Sequence, residues 1–131
     1  MRLKLVALIM FFISSLACNS NAQNFKLFKL PSGKEIKITG MGKMEFPNSD
    51  PALVINYLTD IPIDDKTSLR KEVDEIWLVF ERDVENAQLK NGVIRATHVE
   101  ARGLIKSGKG YGFVFEKRAD GKWHCLEDDQ K

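Results

Sequence analysis

A few residues of this chain combine types and spacing that could do chemistry. His98 and Glu100 form a His-x-Glu pair, and side chains two apart on an extended strand point to one face. With His124 they could supply three zinc ligands from adjacent strands. Cys125 follows His124 directly and so turns to the opposite face. No Pro-Cys-x-x-Cys accompanies the pair, so the zinc-deaminase signature is incomplete, and solvent-facing or structural histidines are the preferred reading. Asp60, Asp64 and Asp65 in "TDIPIDD" could suggest calcium, but the spacing is not that of an EF-hand loop and the turn lacks glycine. Strand termination and helix capping account for these acids. "GKGYG", residues 108–112, lacks the Lys-Ser/Thr of a phosphate loop and reads as a hairpin turn. No Ser, His and Asp set announces a triad, and no motif implies a cofactor.

The elements that would position these groups begin with one helix. In "DDKTSLRKEVDEIWLVFERDVENAQLKNG" the apolar residues Leu69, Val73, Ile76, Trp77, Phe80, Val84 and Ala87 fall on one stripe. Leu78 lies opposite and is expected to be exposed, or else to mark a contact. Asp64 or Asp65 can cap the first turn, and Asn91-Gly92 offers a left-handed stop. The helix should run about 24 residues, or about 36 Å. The remaining segments read as strands: "FKLFKL", then "KEIKITGMGKMEF" after the turn "PSG", and "ALVINYLTDI" after the loop "PNSDP". After the helix come "VIRATHVEARGLI", the glycine-rich turn "KSGKG", "YGFVFEKR", and "KWHCL" beyond the hairpin signal Asp120-Gly121. In the second strand Ile36, Ile38, Met44 and Phe46 should share one face, with Lys37, Thr39, Lys43 and Glu45 on the other. Trp77 is expected in the core and Trp123 at an edge.

The expected fold is therefore α+β, an antiparallel sheet of about five to six strands with one long amphipathic helix packed on one face, in the order β-β-β-α-β-β-β. The layout loosely resembles the cystatin-like and NTF2-like groups of single-helix, curved-sheet domains. The resemblance is one of architecture alone and implies no residues or activity.

The N-terminus carries an export signal. Arg2 and Lys4 precede an uncharged apolar core, Leu5 to Ile13, followed by small residues at Ser14, Ser15 and Ala17. The core is far shorter than the roughly 20 residues of a membrane-spanning helix. Ser15-Leu16-Ala17-Cys18 resembles the lipobox of bacterial lipoproteins, although Ser15 stands where that family usually carries Leu. The resemblance implies cleavage before a lipidated Cys18. The rival site, Ser20-Asn21-Ala22, would discard Cys18. A signal peptide of residues 1–17 or 1–22, a short polar tether and one domain over residues 25–131 follow. The destination is the periplasmic side of a bacterial membrane as a lipoprotein, or the soluble periplasm or exterior if the second cut is used. Either cut leaves Cys125 without an intramolecular partner, a small apolar residue of the last strand.

Removing Arg2 and Lys4 with the signal leaves 18 basic and 18 acidic residues. A nucleic-acid partner, which would need a clustered basic excess, is disfavoured, and membrane attachment would come only through the lipid. The neutral total is unevenly spread: residues 23–49 carry a net +3, residues 50–90 a net −5, and residues 91–131 a net +2. Lys37, Lys43, Arg95 and Arg102, with Thr39 and Lys106, are expected on the sheet face away from the helix, as a docking surface for an acidic envelope protein. These features favour a non-enzymatic protein-binding module, inhibitor- or immunity-like. The alternative is a small-ligand carrier or an enzyme with a pocket between helix and sheet, lined by His98 or His124. If Cys18 is the lipid site, Cys18→Ser abolishes metabolic palmitate labelling and releases the protein from the membrane fraction. Unlabelled, soluble wild type beginning at Gln23 establishes the other cut.

Overall fold

The computed structural model describes residues 25–102 and 105–130, with side chains for 25–100 and 108–129. Among these residues six strands and one α-helix make an α+β fold: β1 (Lys26–Lys29), β2 (Glu35–Phe46), β3 (Ser49–Leu58), α1 (Lys66–Asn86), β4 (Asn91–Arg102), β5 (Ile105–Lys117) and β6 (Trp123–Cys125), followed by a 3₁₀ turn at Leu126–Gln130. The strands form one curled sheet in chain order. The expectation of an antiparallel sheet fails at its centre, because β3 and β4 run parallel, from Ala52 opposite Asn91 to Leu58 opposite Thr97. Parallel neighbours need a crossover of a dozen or more residues. Here α1 is that crossover, while the other connections are short and antiparallel.

Asp65 opens the helix, its carboxylate accepting the Ser68 N–H at 3.2 Å. The buried stripe is Leu69, Val73, Ile76, Trp77, Phe80 and Val84, and Leu78 on the opposite side is 66% exposed. The helix spans 21 residues and stops before the expected Asn91-Gly92. Gln88 takes the left-handed conformation (φ 59°). The Gln88 N–H donates to the Glu85 carbonyl and the Leu89 N–H to the Val84 carbonyl, at 2.9 and 3.2 Å. This pair of bonds is the usual closure of a left-handed helix end, made here without glycine.

Gly92 instead opens β4 and makes room for the helix. The Trp77 indole stacks on the Phe115 ring, centroids 4.2 Å apart and planes 3° from parallel. Phe115 is the β5 partner of Gly92, and a Cβ on Gly92 would stand 2.8 Å from the Trp77 ring and 3.0 Å from Val84. Phe80 meets Trp77 edge-on at 6.0 Å and Trp123 meets it edge-on at 5.0 Å. Ile55, Tyr57, Ile94 and Phe113 of the central strands complete this core.

Two glycine-containing stretches differ from expectation. "KSGKG" is not a turn: β4 and β5 pair without a break from Asn91 opposite Glu116 to Arg102 opposite Ile105. Alternating glycines preserve the strand's two-residue period, so the pairing runs through them. In β2, the register slips between Ile38 and Gly40 and again between Met44 and Phe46. A one-residue bulge reverses the faces beyond it. Ile36 and Ile38 are buried as expected, whereas Met44 and Phe46 are exposed and Met41 packs against the core in their place. "PNSDP" shortens to a tight turn at Pro47-Asn48, with β3 beginning at Ser49.

Gly92→Ala should cost about 1–3 kcal/mol by overpacking the Trp77 bed, read from denaturant unfolding followed by tryptophan fluorescence. Gly42→Ala is the internal control: its Cβ would meet nothing within 4 Å. A Gly92→Ala loss no larger than the control's would remove Gly92 from the support of the helix.

Candidate functional site

The bulge sorts the expected basic residues. Lys37 precedes it and stands opposite Leu27 on β1 and Leu58 on β3, on the face turned from Ile36 and Ile38. Arg95 alternates with the buried Ile94 and Ala96 and lies exposed on this same outer face. Lys43 follows the bulge and pairs with Leu53, a core residue. It therefore departs from the expected grouping, and its ammonium lies 3.6 Å from Glu45. The side chains of Arg102 and Lys106, and Cys18 as a whole, lie outside the described residues.

The outer face is a row-by-row surface. Leu27, Lys37, Leu58, Thr97 and Gly110 follow one another across β1 to β5. The Lys37 ammonium sits 4.8 Å from the centre of the Phe25 ring. Phe25, Leu27 and Val99 remain 42, 56 and 46% exposed around this row. One row further, Asn56, Arg95 and Gly112 align. No described helix lies against this face, since the stripe of α1 is occupied by the other.

The histidines do not assemble. His98 points with Ile94 and Ala96 toward the helix side, its Nδ1 3.1 Å from the Thr59 carbonyl oxygen and its Nε2 3.8 Å from Glu100. His124 stands opposite Glu116, which stands opposite Asn91. Seven residues of β4 separate that level from His98, about 23 Å at 3.3 Å per residue. His98, Glu100 and His124 are thus not brought together: His98 and Glu100 share a face, and His124 belongs to the far end of the sheet beside Asp120, at 3.6 Å. Among the described residues no three metal-capable groups converge. Asp65 caps the helix and Asp60 pairs with Lys34. Cys125 is a buried free thiol whose pKa burial pushes up.

A buried polar cluster escaped the sequence reading. Glu72 lies on the helix stripe three residues after Leu69 and four before Ile76, and its side chain is only 3% exposed. One carboxylate oxygen accepts the Thr59 hydroxyl at 2.7 Å and the other accepts the Lys34 ammonium. Lys34 also donates to Asp60 at 2.8 Å, and the Ser32 N–H donates to Glu75 at 3.1 Å. Thr59 in turn takes the Ile61 N–H and gives its own N–H to the Thr97 carbonyl. The cluster ties the β1–β2 turn, the end of β3, the helix and β4 together. Both Glu72 oxygens are engaged, so it is a fastening rather than a cradle for substrate. The Tyr57 hydroxyl is buried close to Glu72, and burial first, then the Glu72 charge, raise its pKa far above the ordinary phenol value.

An open cleft of about 690 Å³ lies at the C-terminal end of the helix, lined by Glu85, Leu89, Lys90, Lys117 and Arg118 among others. It holds neither histidine, and it lies outside the helix–sheet interface. Lys117 stands 3.6 Å from Glu85, and Arg118 pairs with Glu116 and Asp129. Comparison with known protein families, curated proteins and solved structures returns no match.

The fastening has a definite pH dependence. Burial opposes the Lys34 charge, but its hydrogen bonds to Asp60 and Glu72 outweigh it and raise its pKa above 10.5. The Lys34 hydrogen bond, acting against burial, depresses Asp60 below 3.8. A raised folded-state pKa gives stability that is present below the unfolded value and lost as pH rises through the folded one; a depressed one gives stability lost as pH falls. The stability advantage of wild type over Lys34→Gln should hold through neutral pH. It should decline above pH 10.5 and again as pH falls below 3.8. Urea unfolding across pH checks this, and a pH-independent difference would show that the Lys34 charge is not what fastens the turn.

Proposed function

We propose that this chain is an exported, lipid-anchored envelope protein whose domain is a non-enzymatic module that binds a protein with an acidic surface. The observation that carries the reading is the open outer sheet face, where exposed Phe25, Leu27 and Val99 surround Lys37 with Arg95 nearby. An apolar patch rimmed by charge is the usual composition of a protein contact surface. Against the rival pocket between helix and sheet, the packing of Trp77, Phe80, Phe113 and Phe115 in that interface supports a core there. Export and lipidation rest on the basic head, the apolar core and the Ser15-Leu16-Ala17-Cys18 sequence.

Affinity capture from bacterial envelope extract, followed by association kinetics with the captured protein, tests the reading. Lys37→Glu with Arg95→Glu should slow association on the order of tenfold at low salt with little change in stability, because exposed charges act on encounter. The difference should shrink at 1 M salt, where screening reaches about 3 Å. Equal on-rates for wild type and the double reversal would overturn the docking face.

A further inference from the structure

The free edge of β5 is a second feature of this sheet, distinct from its outer face. Lys117 donates its N–H to the Lys90 carbonyl at 2.8 Å, on the β4 side. Main-chain direction alternates along a strand, so the odd-numbered residues of β5 serve β4 and the even-numbered residues point away. Arg118 donates to the Lys122 carbonyl at 3.0 Å, extending the even series toward the β6 side. β6 covers only Phe115 to Lys117. The N–H and C=O groups of Lys106, Gly108, Gly110 and Gly112 therefore face outward, with no strand partner among the described residues.

Three of those four positions are glycine, and all three glycines are exposed. On the outer face they raise no side chain beside the edge. Glycine inside a strand commonly marks close approach by another backbone. The surrounding hairpin is basic: residues 95–109 contain Arg95, Arg102, Lys106 and Lys109 against Glu100 alone. A second copy pairing through this edge would bring two such clusters together, whereas an acidic strand would complement them.

We infer that an extended acidic segment of a protein partner adds to the sheet as a seventh strand along β5, bonding to the outward main-chain groups of Gly108, Gly110 and Gly112. The inference rests on the proposed binding role and specifies how it is carried out. Strand addition of this kind draws affinity from main-chain hydrogen bonds and specificity from alternate side chains. The basic excess of the hairpin sequence favours acidic residues in the added strand.

The test uses the purified full chain and an acetylated alternating Val-Glu peptide of about eight residues, within the usual range of strand lengths, at millimolar concentration. The readout is amide hydrogen exchange by NMR. At about nine-tenths saturation the Gly108, Gly110 and Gly112 amides should exchange roughly tenfold more slowly, since only the unbound fraction opens to solvent. The same peptide N-methylated at alternate residues should give no protection, and a Val-Lys peptide less. Gly110→Pro removes one outward donor and should abolish protection at its neighbours. Thermal unfolding of that variant reports whether its ladder to β4 survives.

Unprotected glycine amides with the acidic peptide overturn strand addition, and so does equal protection by the N-methylated peptide. If protection is missing while the Lys37→Glu and Arg95→Glu reversal still slows capture of a partner, strand addition alone has failed and the docking face stands. If protection is seen and the reversal has no effect, the edge binds and the face does not.

Discussion

The parallel pairing of β3 with β4 is the constraint from which the rest of the architecture follows. Two neighbouring strands that run the same way must be joined by a chain that travels back along the sheet. In this protein α1 makes the journey and lies on one face. It can do so because Gly92 leaves a gap for the Trp77 indole, which then stacks flat on Phe115. A single crossover helix can cover one face of a sheet and no more. Among the described residues the outer face is thus left without a helix by the same topology that builds the core, and its exposed Phe25, Leu27 and Val99 are a consequence of the connection.

The polar fastening at Glu72 serves that connection. Burying a carboxylate is costly unless it is paired and hydrogen-bonded, and Glu72 has both a cation and a hydroxyl. Its partners come from a turn, from the end of β3 and, through Thr59, from β4. It joins the one parallel junction of the sheet to the turn that holds β1. Two residues before Glu72 on the same helix, Arg70 grips Asp128 with two hydrogen bonds, at 2.8 and 3.1 Å, and so binds the last 3₁₀ turn to the helix. Such exposed ion pairs contribute modestly. Their effect is on placement, setting the 3₁₀ turn against the helix.

How much of this was legible in the sequence depends on whether a residue acts locally. The helix stripe and its Asp65 cap are local, and both were readable from spacing. The helix end was not: Gln88 adopts φ 59° at a position where glycine is the usual signal, while the nearby Asn91-Gly92 mimicked one. The role of Gly92 depends on Trp77, fifteen positions earlier, and no local pattern encodes it. Strand direction at β3 and β4 is likewise a property of the long connection, not of either strand. The bulge after Ile38 reverses every later side chain of β2, so Lys43, Met44 and Phe46 were assigned to the wrong faces by a strict alternation. Glu72 was readable in principle, since its offsets from Leu69 and Ile76 place an acid on a buried stripe, which implies a partner. The partner itself, Lys34, is 38 positions away.

Sheet edges impose the remaining condition. Unpaired strands invite association, and proteins restrain them with charge, short edge strands and bulges. This sheet uses all three. β1 and β6 are only four and three residues long, a bulge interrupts β2, and lysines sit at positions 43, 106 and 109. The lengths do not match, however: β2 has 12 residues and β5 has 13, so each short edge strand covers only part of its neighbour. Positive charge is a selective guard in that setting. It repels a second copy of the same basic hairpin and leaves the backbone open to an acidic chain. Under the proposed binding role the same lysines would both guard against self-association and admit a partner, so the uneven charge of residues 23–131 would bear on encounter more than on stability.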